Sequence, residues 1–114
     1  MGRDMSFWRM KSETKMDNGS IHVALSEGTY LEYVDEIPEL EIQHDFHEVF
    51  KGWENDNDQF FKNGDESFYL MITKQFVRVD DPYVLTVDSI EKIIGILAKY
   101  QCPPYFSEID KRLD

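Results

Sequence analysis

Glu39-Leu40-Glu41-Ile42-Gln43-His44-Asp45-Phe46-His47-Glu48-Val49-Phe50-Lys51-Gly52-Trp53 is the stretch on whose reading the fold turns. Ile42, Phe46, Val49, Phe50 and Trp53 recur at the spacing of one helix face, while Leu40, Ile42, His44 and Phe46 would also alternate as a strand. Glu39 and Glu41 favour the helix, because they stand in its first turn, where the macrodipole stabilises anions, and Gly52 suits its C-terminal end. A helix over about 39–51 is therefore expected. It carries Glu41, Asp45 and Glu48 at i, i+4 and i+7, a carboxylate ridge beside the buried stripe. Like charges at that spacing cost a few tenths of a kcal/mol per pair.

The ridge belongs to a longer acidic segment. Residues 27–66 hold thirteen Asp and Glu against only Lys51 and Lys62, so their formal charge of −11 equals that of the whole chain. The flanks balance, with ten acidic and ten basic residues. Such a field repels nucleic acid and anionic membranes and attracts basic partners.

Upstream, Asn18-Gly19 in Met16-Asp17-Asn18-Gly19-Ser20 predicts an N-terminal β-hairpin, since that dipeptide suits a two-residue turn. In that register Met16 faces Ile21, Thr14 faces Val23 and Ser12 faces Leu25, with Trp8 and Met10 extending the same apolar face. Gly28 would break the second strand and Thr29–Val34 would form a third, ended by Pro38. Downstream, residues 54–66 read as a polar loop interrupted by Phe60 and Phe61. Phe68–Val79 reads as one central strand apolar on both faces. After a turn at Asp80-Asp81-Pro82, Tyr83–Val87 would be the last strand. Asp88 as N-cap, with Glu91 three residues on, opens an amphipathic helix over about 88–101 through Ile90, Ile93, Ile94 and Leu97. Pro103 and Pro104 stop it, and Ser107–Leu113 would add a short turn.

The sum is a single α+β domain over residues 1–114: an antiparallel sheet of about five strands, one helix packed on it, and a second, acidic helix. A chain of 114 residues, 41% apolar and 14% aromatic, has the means to bury a core. It shows no signal peptide and no apolar run of membrane-spanning length. Lone Cys102 forms no internal disulfide, fits the reducing cytoplasm, and beside Pro103 reads as structural.

Three constellations bear on chemistry. His44 and His47 lie near carboxylates, as a divalent metal site would need, but no further Cys or His cluster completes the set. Asp56-Asn57-Asp58 with Asn63-Gly64-Asp65-Glu66 resembles a calcium loop in composition only. Started at Glu54 it puts Gln59 where Gly is required, and started at Asp56 it ends on Ser67 rather than Glu. Paired carboxylates of the glycosidase kind are met by chance in so acidic a stretch. No phosphate loop, nucleophile elbow or Cys-His pairing stands out. The expectation is a non-enzyme without cofactor or bound metal.

Aromatics among charges are the mark of interface anchors, and Trp53, Phe60 and Phe61 lie among Glu54, Asp56, Asp58, Asp65 and Glu66. The candidate partner-binding residues are thus Glu41, Asp45, Glu48, Glu54, Asp56, Asp58, Phe60, Phe61, Asp65 and Glu66. On segment 27–66 and these aromatics the chain resembles, as a class, the small acidic immunity proteins of bacterial contact-dependent inhibition and other polymorphic-toxin systems. That resemblance implies a cytoplasmic α+β domain that binds and neutralises one cognate basic toxin, a nuclease for preference. It implies no contact with nucleic acid or membrane. The alternatives are a phage-type nucleic-acid mimic that blocks restriction or RNA-guided defence, and a metal-binding domain or metal-dependent enzyme using His44, His47 and the 54–66 loop.

Overall fold

A computed structural model describes residues 4–80 and 84–113. The elements in chain order are β1 (Asp4–Phe7), α1 (Asn18–Ser26), α2 (Glu39–Val49), β2 (Glu54–Asp56), β3 (Phe60–Asn63), β4 (Glu66–Ile72), β5 (Val77–Asp80), α3 (Val87–Ala98), β6 (Pro104–Phe106) and β7 (Lys111–Arg112). The architecture is α+β. Among the described residues seven strands form one antiparallel sheet in the order β2-β3-β4-β5-β1-β6-β7, two more than the sequence suggested.

Period-two alternation divides the core between the two faces of this sheet. Met5, Phe7, Phe61, Phe68, Leu70, Val77 and Val79 point to one face, where Ile42, Phe46 and Phe50 of the α2 region and Ile93, Ile96 and Leu97 of α3 cover them. Trp8, Phe76 and Tyr105 point to the other, beneath Ile21 and Leu25 of α1 and Leu31 and Val34 of the following segment. The expected acidic helix is present as α2, capped at Phe50 rather than Gly52.

Instead of the N-terminal hairpin there is a helix. Asp17 is an N-cap whose Oδ1 accepts from Ser20 N at 2.7 Å, so Asn18 and Gly19 become a first helical turn. Ile21 and Leu25, four apart, then bury together on one face. Gly28 ends the helix rather than a strand. Its φ of 85° allows Gly28 N to reach Leu25 O at 3.1 Å and Thr29 N to reach Ala24 O at 3.0 Å, a Schellman closure. Thr29–Val34 forms no strand beyond a bridge from Val34 to Met10. It is held by Gln75, a buried amide that accepts from Leu31 N at 2.9 Å and donates to Leu31 O at 2.6 Å and Val34 O at 2.9 Å.

The 54–66 stretch is also not a loop. It carries β2 and β3, joined by a turn in which Asn57 and Asp58 take φ of 53° and 60° and Gln59 N bonds Asp56 O at 3.1 Å. Two successive positive φ values define the primed turn that matches strand twist, and Asn and Asp tolerate them better than other residues bearing a Cβ. Gly64, at φ 62°, makes the next turn into β4.

Phe68–Val79 is two strands rather than one. The chain reverses between Thr73 and Phe76, where Thr73 N bonds Phe76 O at 2.9 Å and Phe76 N bonds Thr73 Oγ1 at 3.2 Å. The turn expected at Asp80-Asp81-Pro82 falls largely outside the described residues, as does Tyr83. Val84–Val87 is not a strand, since Thr86 is the N-cap of α3, accepting from Ser89 N at 3.2 Å, and Val87 is its first residue. Asp88 therefore sits in the first turn. The helix ends at Ala98, and Gln101 at φ 61° lets Cys102 N bond Leu97 O at 3.0 Å. The terminal turn is present at Ser107–Asp110, where Asp110 N bonds Ser107 O at 3.3 Å, and it joins β6 to β7, which the sequence did not suggest. No described helix is long and apolar enough to cross a membrane.

Candidate functional site

The ten residues singled out above occupy three different settings. Glu41, Asp45 and Glu48 lie on α2, over the first sheet face. Glu41 and Glu48 are exposed. Asp45 is engaged: its Oδ2 is 3.1 Å from Lys99 Nζ and accepts from the Tyr100 hydroxyl. The Tyr100 hydrogen bond, then Lys99, holds the Asp45 carboxyl below its usual range. Burial first, and Asp45 second, pushes Tyr100 up to about 12.

A second group serves the fold. Phe61 is 1% exposed and stacks on Phe68 with centroids 5.0 Å apart, in contact with Phe46 and Phe50. It is a core residue and cannot also anchor a partner. Glu66 accepts from Ser89 Oγ at 2.6 Å and Thr86 N at 2.9 Å, which lowers its pKa in that order and fastens α3 to β4. Asp58 Oδ1 lies 2.9 Å from His47 Nε2, joining the β2–β3 turn to α2.

The third setting is the opposite sheet face. Successive registers place Asp56 opposite Phe60, Phe60 opposite Tyr69, Tyr69 opposite Asp80 and Asp80 opposite Asp4. Residues directly opposite share a face, so these five form one row across five strands. Phe60 and Tyr69 pack with centroids 4.7 Å apart at 43°. Glu54 and Lys62 stand opposite each other in the next row of the same face. Asp80 is paired with Arg78, Nε to Oδ1 at 3.0 Å. α1 and the 29–34 segment cover this face from β1 and β6 as far as Phe76 and Met71, while Tyr69, nearer the β2 edge, is 53% exposed. Asp65, in the β3–β4 turn, is exposed at its margin.

Tyr69 was missed because Phe68–Val79 looked apolar on both sides. The signal was available in the alternation itself, since Phe68, Leu70 and Ile72 form the consistently apolar set and Tyr69 falls on the other.

Where α1 meets this face, His22 bridges two β1 residues, with Nδ1 2.8 Å from Ser6 Oγ and Nε2 3.2 Å from Asp4 Oδ1. Ser6 is fully buried, so its hydroxyl is closed to any substrate and the group acts as a fastener. Burial raises the Asp4 pKa, but hydrogen bonds from His22 and Ser107 outweigh it and leave the carboxyl low. His44 is exposed on α2, and no group of three or more metal-ligating side chains gathers among the described residues. The segment once read against a calcium loop is two tight turns rather than one wrapping loop. Cys102 is buried, and desolvation pushes its thiol up to about 11.

No known protein family, no curated protein and no solved structure matches this chain.

Proposed function

We propose that this protein is a binding inhibitor of a basic protein, of the kind found in bacterial toxin–immunity pairs, acting in the cytoplasm on a nuclease toxin. The observation that carries the reading is the unanswered charge of segment 27–66. Among the described residues, only Asp35 and Asp45 there pair with an Arg or Lys. Glu39, Glu41, Glu48, Glu54, Asp56 and Asp65 make no ion pair or carboxylate hydrogen bond among the described residues. Held together on one small domain, these anions repel one another, and a cationic surface would relieve the repulsion. A field of this sign accelerates encounter with a basic partner by roughly 10- to 1000-fold at low salt. It also competes with nucleic acid for the same cleft.

The test begins with capture on the immobilised protein from lysate of its source, at low and at physiological salt. The captured protein is then identified, purified and assayed. The expected result is one basic protein whose nuclease activity falls to zero at one equivalent, with an association rate that drops steeply as salt is added. A captured protein whose activity is untouched overturns the reading. Displacement of DNA from several unrelated proteins would replace it with nucleic-acid mimicry.

A further inference from the structure

The geometry points to the open face of β2, β3 and β4 as an arginine-reading surface, on which a basic partner lays a guanidinium across the Phe60–Tyr69 rings and against the Asp56 carboxylate. The inference rests on the basic-partner reading above and specifies where and how that partner is held.

Four observations carry it. Phe60 and Tyr69 present a joined aromatic surface, and Tyr69 is 53% exposed at the end of this face away from α1. That surface adjoins a carboxylate in its own cross-strand row, Asp56, which has no partner among the described residues. Neighbouring strands are about 4.8 Å apart. One planar cation over Phe60 therefore reaches the Asp56 carboxylate without leaving the ring. Lys62 stands opposite Glu54 in the adjoining row and makes no ion pair with it, so it repels a cation from that row toward Asp56.

The same features select the occupant. A guanidinium is flat, weakly hydrated and able to stack while it donates to a carboxylate, whereas an ammonium does only the latter. A second copy would bring Asp56 and Glu54 against their own kind on a chain of charge −11. Nucleic acid is repelled for the same reason.

The test uses the full chain and two probes, acetylated hexa-arginine and hexa-lysine peptides, followed by amide chemical-shift titration. Hexa-arginine is expected to bind about three- to fivefold more tightly than hexa-lysine, the margin an exposed ring–cation contact supplies. The largest shifts should fall on Asp56, Phe60 and Tyr69. Tyr69→Ala should abolish the preference, Tyr69→Phe should keep it, and Asp56→Asn should weaken both peptides. Thermal melts of the three variants confirm folding. Equal affinity for the two peptides, shifts centred on Glu41 and Glu48 of α2, or a preference that survives Tyr69→Ala would each overturn the inference. These readouts need no toxin, so they fail separately from the inhibition assay.

Discussion

The hydroxyl of Ser89 donates to the carboxylate of Glu66 at 2.6 Å, fastening the first turn of α3 to the first residue of β4. Glu66 also accepts from Thr86 N at 2.9 Å, so one side chain from the acidic segment completes the cap of a helix twenty residues away. Segregated charge thus divides into anions the fold consumes and anions it leaves open.

Glu66→Ala should destabilise the protein by about 1–2 kcal/mol, the range for losing charge-assisted hydrogen bonds at a partly exposed site. The folded pKa of Glu66 lies below its ordinary 4.5. Its contribution is therefore complete above that value and lost as pH falls through it toward the folded pKa. Urea midpoints at pH 7 and pH 3 should differ less in Glu66→Ala than in the parent protein; an equal difference would remove the linkage.

Gln75 is 3% exposed and satisfies three backbone groups of residues 31 and 34. Gln75→Leu keeps the volume but strands those groups, and should cost about 3 kcal/mol in chemical denaturation. Amide exchange should quicken first at Leu31. A variant as stable as the parent would mean that water replaces the amide.

At Asn57 the backbone demands a φ of 53°. Asn57→Gly should change stability by less than about 0.5 kcal/mol, whereas Asn57→Val should lose about 1–2 kcal/mol. If the two variants melt together, the turn is not the one described.

Asp17→Ala removes the side-chain cap of α1 and should cost stability, read as a lower melting temperature. Gly28→Ala, at φ 85° with open space around it, should cost about as much through backbone strain alone. Calorimetry of the double variant should show the two losses adding, because the sites lie at opposite ends of the helix.

Burial keeps the Cys102 thiol protonated at pH 8. Its modification by a disulfide reagent should be at least about tenfold slower in the native protein than in urea. Comparable rates would show that the α3–β6 junction opens readily.

How far the sequence reached depended on whether one force spoke alone. In α3, Ile90, Ile93, Ile94 and Leu97 set a helical period that no other signal opposed, and in α2 the acidic first turn agreed with the apolar stripe. At Asn18-Gly19 two local signals competed. The Asp17 cap with Ile21 and Leu25 outweighed the turn dipeptide, and only burial against Trp8, Phe76 and Tyr105 decides between them. β2 was illegible for the opposite reason: Glu54, Asn55 and Asp56 are all exposed, so an edge strand held by backbone pairing carries no apolar pattern. Thr73-Lys74-Gln75 reverses the chain without Gly or Pro, through the Thr73 hydroxyl. Within the candidate site, Asp56 and Phe60 were legible as an acid and an aromatic close in sequence. Tyr69 and Asp80 were not, because strand register brings them alongside.

Phe60 and Phe61 are neighbours in the chain that face opposite sides of one strand. The inward ring answers to α2 and the core, while the outward ring answers to solvent. Substitutions at 54, 56, 60 and 69 can therefore accumulate with little penalty to folding, and recognition can drift while the scaffold stays fixed. For the inhibitor role proposed above, that separation would let specificity be rewritten on one side of a sheet without renegotiating the other.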